Sequence, residues 1–172
     1  MATPVSDLRA MLSREINVPG FEQLPDITSS QLDGYIADGF WETRLLGMLE
    51  SYTLTDGTEL ATPVGSIIKQ ASDDGDLPEQ YQMLVVIVAG LKMLRLKALN
   101  LAVSFSAKAG PVEYEQQTSA TVLRAILDSL ESRLNELQAS YSDLFAGSMV
   151  YFDGVLQRER SLIDGLAVLT VY

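Results

Sequence analysis

The residues of this sequence best suited to chemistry are clustered acids. The densest cluster is Asp73, Asp74 and Asp76, with Glu79 just after it, and its carboxylates could in principle bind a divalent cation. An EF-hand loop needs carboxylates at alternating positions, a glycine at the sixth and a distant bidentate glutamate, and that spacing is missing. We therefore interpret the cluster as a solvated loop that leads into a helix N-terminus.

A second acidic pair, Glu113 and Glu115, flanks Tyr114 after the Gly110-Pro111 dipeptide. In an extended segment, residues two apart share a face, so the two carboxylates could act together as in a paired-carboxylate hydrolase. Such an enzyme also needs a cleft and separated pKa values, and nothing else in the sequence marks a cleft. A solvent-facing or intersubunit role is the better interpretation.

Three basic residues, Lys92, Arg95 and Lys97, interrupt an apolar helical segment. They could form intersubunit ion pairs with an acidic surface of a neighbouring copy. Their aliphatic stems could equally lie along the helix while the charged ends reach water. The sequence leaves both interpretations open.

The chain contains no cysteine and no histidine. Disulfides, thiolate nucleophiles, zinc fingers and every Ser-His or Cys-His arrangement are therefore excluded. Walker, GxGxxG, GxSxG and HExxH motifs are also missing. We expect no enzymatic activity, no cofactor and no metal site.

Composition indicates a globular chain with a strong negative charge. A length of 172 residues with 47% hydrophobic and 20% charged residues fits one domain. The net charge of −11 disfavours sequence-specific binding to nucleic acid, although an acidic surface would suit a channel through which DNA slides without sticking. The longest apolar run is too short to span a bilayer, and no signal peptide is evident, so we expect a soluble intracellular protein.

Hydrophobic spacing predicts a bundle of about four helices. The first follows Ser6 and stops at Pro19-Gly20, and the second spans roughly Ser29 to Leu49 with a tight packing contact at Gly39. The third starts at Pro78, runs to about Val103 and is apolar on nearly all sides. The fourth runs from about Ser119 to Tyr141. The leucines that we expect to form the packing core of the subunit are Leu84, Leu91, Leu123, Leu127, Leu130 and Leu134, together with Val88.

Two segments show strand-like rather than helical patterns. Residues 51–62 predict a small inserted β-hairpin that turns at Asp56-Gly57. Beyond residue 144, Asp153-Gly154, Asp164-Gly165 and a final apolar run predict a β-rich or extended arm. The expected fold is thus mainly α, with residues 1–144 as the helical core and 145–172 as a docking arm of the same domain. The arm residues expected to dock on a neighbour are Tyr151, Phe152, Leu166, Val168, Val171 and Tyr172.

The segment AKAGPVEYEQQTSATVLRAILDSLESRL, with the apolar helix before it, resembles the head-to-tail adaptor proteins of long-tailed bacteriophages, particularly those that infect actinobacteria. The resemblance covers roughly Ser30 to Leu137 as an order of elements: helix, connecting hairpin or loop, buried helix, glycine-containing elbow, helix. It is most specific at Ala109–Glu113 and the leucine-rich helix that follows.

This resemblance implies a virion protein of the head–tail junction without enzymatic activity. Such a subunit would assemble in the host cytoplasm into a ring, expected to be a dodecamer, beneath the portal protein. The ring would extend the DNA channel, pass DNA non-specifically, and offer a platform to a tail-side connector or stopper protein. A C-terminal arm would dock on the portal, and no membrane would be involved.

Two other functions remain open from the sequence alone. One is a cytoplasmic helical scaffold or regulatory interaction module that has a host partner. The other is a metal-assisted hydrolase that uses the acidic loop around Asp74 and Asp76. The first would be missing from purified virions, and the second would bind Mg²⁺ or Ca²⁺.

Overall fold

The computed structural model describes residues 3–16, 29–50, 52–55, 67–70, 77–105, 113–145 and 149–168, and within these ranges the chain is mainly helical. The helices there are α1 (Val5–Glu15), α2 (Ser29–Leu45), α3 (Glu79–Phe105), α4 (Glu113–Ser140) and α5 (Met149–Val168). The strands are β1 (Thr3–Pro4), β2 (Tyr52–Thr55) and β3 (Ile67–Gln70). The mainly helical fold class is confirmed, but the described helices number five rather than about four.

Helix α3 is the central element, and it packs against α1, α2, α4 and α5. Every residue from Leu84 to Leu91 is buried, as expected for a helix that is apolar on nearly all sides. The helix follows Pro78, whose fixed φ suits a helix start. Just before it, the Leu77 N–H donates a hydrogen bond of 2.7 Å to Thr3 Oγ1 and so ties β1 to this end of α3.

Helix α2 crosses α3 at Gly39, and the predicted tight contact there is confirmed. A Cβ atom at this position would lie 2.7 Å from the carbonyl oxygen of Val85 and 2.9 Å from the amide nitrogen of Ala89. Only glycine lets the two helix backbones approach this closely. Helix α2 ends at Leu45, four residues before the predicted end.

Helix α4 carries the leucine seam, and Leu123, Leu127, Leu130 and Leu134 are all buried. It begins at Glu113 rather than near Ser119, so the acidic piece predicted to be extended is the first turns of a helix. Glutamate is favoured at a helix N-terminus because it faces the positive end of the helix dipole. The Gly110-Pro111 elbow lies outside the described residues.

The C-terminal segment is helix α5, and the prediction of a β-rich or extended arm is wrong for Met149–Val168. Its buried residues follow a helical repeat of four and three and lie against α3 and α4. They are Phe152, Leu156, Glu159, Ile163 and Leu166. The Asp-Gly pairs that suggested turns sit inside the helix, and a Cβ at Gly154 or Gly165 would touch nothing within 4 Å.

The inserted hairpin is present with a different second strand. Strand β2 pairs antiparallel with β3, whereas the prediction placed the second strand near Leu60, and Leu54 lies opposite Ile68. Strand β1 adds to the other side of β3, which gives the order β1-β3-β2. The predicted turn at Asp56-Gly57 lies outside the described residues.

Ion pairs fasten α5 to α4 as an antiparallel pair of helices. Arg124 lies 2.9 Å from Asp164, and Arg160 contacts both Asp128, at 3.1 Å, and Glu131. These carboxylates, Glu131 above all, raise the pKa of Arg160. Because the charges are partly exposed, each pair contributes about 1 kcal/mol or less, and burial of the apolar face of α5 is the larger effect.

Candidate functional site

A pocket of about 220 Å³ opens where α2, α3 and α5 meet. Its apolar walls come from α3 and α5, and charged side chains from all three helices surround them. The lining residues are Glu42, Val88, Leu91, Lys92, Arg95, Tyr151, Phe152, Val155, Arg158 and Glu159. The pocket thus combines apolar walls with three basic groups, in a chain whose net charge is strongly negative.

Two of the basic groups are held by acids of the same chain. Lys92 Nζ lies 2.6 Å from Glu42 Oε2, which joins α3 to α2. Arg158 Nε donates to Glu159 Oε1 at 3.2 Å. The Nη groups of Arg158 make no hydrogen bond to the described part of the chain, so this guanidinium can still bind a carboxylate through them.

The third basic group, Arg95, is exposed, and no residue in the described ranges forms an ion pair with it. Most other basic side chains in the described ranges contact an acid, and Arg14 and Arg44 instead donate to main-chain carbonyl oxygens. Arg9 pairs with Asp33, and Arg133 pairs with Glu15 and Glu136. Arg95 therefore brings an uncompensated positive charge to the pocket.

The carboxylate of Glu159 is the buried polar feature of this site, with only 2% of the side chain exposed. A buried carboxylate is costly unless it is paired, and its contact with Arg158 meets part of that need. The contact also fixes the orientation of Arg158 at the pocket. The predicted strands gave Glu159 no role, although the spacing of the apolar residues from Phe152 to Ile163 places it on the buried face of a helix.

The residues expected to form the packing core are buried within the chain itself. Val88 and Leu91 also line the pocket, so one side of the central helix serves both the core and this surface. The other members of the set, Leu84, Leu123, Leu127, Leu130 and Leu134, contribute to the core only.

The residues expected to dock on a neighbour lie in different environments in the structure. Phe152 and Leu166 are buried in the core of the chain, so docking through them would require α5 to leave that core. Tyr151 is half-buried and lines the pocket. Val168 lies in the last turn of α5, and Val171 and Tyr172 fall outside the described residues.

The three residues expected to form intersubunit ion pairs differ in their exposure and in their ion pairs within the chain. Lys92 already pairs within the chain, and Lys97 is buried. Only Arg95 is exposed without an ion pair in the described ranges. The prediction of intersubunit ion pairs stays a prediction, and Arg158 on α5 places a second arginine at the same pocket as Arg95.

Several large apolar side chains remain at the surface of the described part of the chain. Trp41 and Leu45 lie one turn apart on α2, and the guanidinium of Arg44 covers the Trp41 ring at 5.4 Å. Leu96 and Leu99 lie on the C-terminal half of α3. Val150, at the start of α5, is 84% exposed. Single apolar side chains are common at protein surfaces, so these residues are available for contacts with other proteins but do not by themselves mark an interface.

The described structure bears on one of the two acidic clusters suggested by the sequence. Asp73, Asp74 and Asp76 lie outside the described residues, and Glu113 and Glu115 are helical, so they do not share a strand face. Within the described ranges, no group of three or more potential ligand side chains could hold a metal ion. Among the helices described there, none is long and apolar enough to cross a membrane.

Comparison with known proteins gives no match: no family model, no curated protein and no solved structure is similar to this chain. The pocket between α2, α3 and α5 and the order of the elements are therefore the grounds for a functional proposal.

Proposed function

We propose that this chain is a structural subunit of the head–tail junction of a long-tailed bacteriophage. Copies of it would form a ring under the portal protein, extend the DNA channel and offer a platform to the tail-side connector. It would act by assembly, without catalysis.

The order of elements is the observation that carries this proposal. Helix α2, the hairpin of β2 and β3, the buried helix α3 and the leucine-rich helix α4 follow one another as the resemblance to head-to-tail adaptors implies. The remaining part of the resemblance, the elbow between α3 and α4, rests on the sequence Ala109–Glu113.

Charge and surface give further support. A net charge of −11 suits a subunit of a channel that must not retain DNA. The exposed apolar groups Trp41, Leu45 and Val150 are available for contacts with other proteins. With neither cysteine nor histidine in the sequence, assembly accounts for the chain better than covalent catalysis does.

Deletion of the gene from the phage tests the proposal. We expect DNA-filled heads and free tails to accumulate, because heads without a platform cannot bind tails. Supplying the protein in trans should restore whole particles. Normal infectious particles from the deletion phage would contradict the proposal.

The protein content of purified virions distinguishes the proposed function from the alternative of a cytoplasmic scaffold or regulatory module. A junction subunit is a constituent of the virion, whereas a cytoplasmic scaffold or regulatory module is missing from it. Mass photometry of the purified protein, with and without portal rings, should show a ring that forms on the portal. A protein that never joins portal rings and is missing from virions would favour the scaffold.

A further inference from the structure

We infer that the pocket between α2, α3 and α5 receives an acidic surface of a second copy of this chain, so that copies join head to tail. This inference rests on the proposed function, because it names the contact through which subunits of a ring would meet. Arg95 and Arg158 would bind the incoming carboxylates, and the apolar walls would contact an apolar group beside them.

Exposed carboxylates of the chain could supply the acidic surface that a second copy brings to the pocket. Asp38, Asp143 and Asp153 are exposed and have no ion pair within the described ranges. With the net charge of −11, most of the surface of a second copy therefore repels the first. Since Arg95 has no ion pair in the described ranges, the pocket is where an acidic surface of another copy would be attracted.

The same charges determine the symmetry of the contact. In a two-fold dimer centred on the pocket, Arg95 of each copy would face the same basic pocket of the other, and like charges would oppose each other. A head-to-tail contact instead places the pocket of one copy against an acidic surface of the next. Repeated contacts of this kind close into a ring or extend as a filament.

The geometry of the pocket favours a carboxylate over other anions. Arg158 is oriented through its Nε by the buried Glu159, and its outer Nη groups can bind a carboxylate in the paired geometry typical of arginine. Glu42 and Glu159 also line the pocket, which would disfavour a highly charged phosphate chain. A single carboxylate beside an apolar side chain matches both the charge and the walls.

Site-specific cross-linking tests the inference directly. Because the chain has no cysteine, Val155→Cys creates a single attachment point inside the pocket for a benzophenone cross-linker. Val150→Cys on the exposed face of the same helix is the matched control position. The labelled protein is mixed with a ¹⁵N-labelled copy, alone and on portal rings, and cross-linked peptides are identified by mass spectrometry.

We expect the cross-linker at position 155 to reach an acidic segment of the ¹⁵N-labelled copy. Adding Arg95→Glu should lower that yield by about tenfold, because a charge reversal turns attraction into repulsion. Arg14→Glu is the matched control: it makes the same change of charge at an exposed arginine outside the pocket and should leave the yield unchanged. Arg95→Lys should retain most of the cross-linking.

A mixing experiment tests the head-to-tail symmetry. A subunit with Arg95→Glu keeps its own acidic surface, so it can occupy a pocket but cannot accept the next copy. Titrated into the unmodified protein, it should end chains and shorten oligomers, as seen by sedimentation or mass photometry. Arg14→Glu subunits should be incorporated without this effect.

Three results would overturn the inference: no cross-link between copies, cross-links from pocket to pocket, or cross-links that Arg95→Glu does not reduce. If the Arg95→Glu protein still assembles into rings on the portal, the inferred pocket contact is wrong and the proposed function stands. Conversely, the protein could associate through the pocket in solution and yet be missing from virions. That result would support the pocket contact and contradict the proposed function.

Discussion

At Gly39 a single hydrogen atom in place of a side chain sets the distance between α2 and α3. We expect Gly39→Ala to lower the free energy of unfolding by about 1–3 kcal/mol, because the new Cβ would overlap the α3 backbone at Val85 and Ala89. The atoms in the way are a carbonyl oxygen and an amide nitrogen, which cannot move as a flexible side chain would. Urea unfolding of the two proteins measures the difference.

Gly34→Ala in the same helix is the matched control. Its Cβ would have no atom within 4 Å, so the higher helix propensity of alanine should stabilise the protein by up to about 1 kcal/mol. Equal effects at the two positions would contradict the close approach of α2 to α3.

Tyr52 provides a residue-level prediction of pH dependence. Burial, and after it the neighbouring Tyr81, raises the pKa of Tyr52 above its ordinary value of 10.0. Below that value both the folded and the unfolded states hold the proton, and stability does not depend on this group. As the pH rises above 10.0, the unfolded state loses the proton first, so stability should fall.

We expect Tyr52→Phe to reduce this alkaline loss of stability, because phenylalanine has no proton to release. The readout is the denaturation midpoint measured at several pH values on either side of 10.0. Tyr141→Phe, at an exposed position, is the control for removing a tyrosine hydroxyl. A loss of stability as steep as in the unmodified protein would contradict the assignment to Tyr52.

At the scale of elements, α5 is a helix of the core. We expect Phe152→Ala to destabilise the protein by about 3–5 kcal/mol, because the ring is fully buried and packs edge-on against Phe145 at 5.8 Å. Val150→Ala, on the exposed face of the same helix, should change stability by less than about 0.5 kcal/mol. If α5 were a free arm, the two substitutions would have similarly small effects in denaturation experiments.

Helix α5 also supplies the residues that distinguish the pocket from an ordinary groove. Tyr151 and Val155 form part of its wall, and Arg158 adds a second guanidinium to that of Arg95 on α3. An extended arm would leave this side of α3 uncovered and would create no pocket. The candidate site therefore depends on the C-terminal segment being helical.

At the scale of the whole molecule, the central position of α3 predicts cooperative unfolding. The single tryptophan, Trp41, reports on α2, whereas far-UV circular dichroism reports on all the helices. Because both α2 and α5 pack against α3, the two signals should change at the same denaturant concentration. A separate transition seen only by circular dichroism would indicate that α5 or another helix unfolds on its own.

The distribution of charge also acts at the whole-molecule scale. Most described basic side chains are paired within the chain, so the net negative charge is displayed outward, whereas Arg95 has no ion pair among the residues that the structure describes. Such a surface keeps copies apart except where a basic pocket can meet an acid. Assembly by head-to-tail contact would follow from this arrangement.

The helical elements whose packing faces are continuous in the sequence were predictable. The leucine seam of α4 and the apolar run of α3 predicted buried helices, because apolar residues continue there over longer stretches than strands or loops usually span. Gly39 was identified as a contact point because a glycine inside a helical pattern has a propensity cost that close packing offsets. The Asp-Gly pairs of α5, in contrast, indicated turns, since local propensity favours turns at these dipeptides.

The sequence by itself determined the acidic charge, the lack of cysteine and histidine, and the periodicity of the central helices, because these depend only on residue types and their spacing. Only the tertiary structure decided that α5 is a core helix, that Glu159 is buried beside Arg158, and that Arg95 shares a pocket with residues more than fifty positions away. Burial of the apolar face of α5 against α3 and α4 outweighs its local preference for turns. That burial depends on partners distant in the sequence.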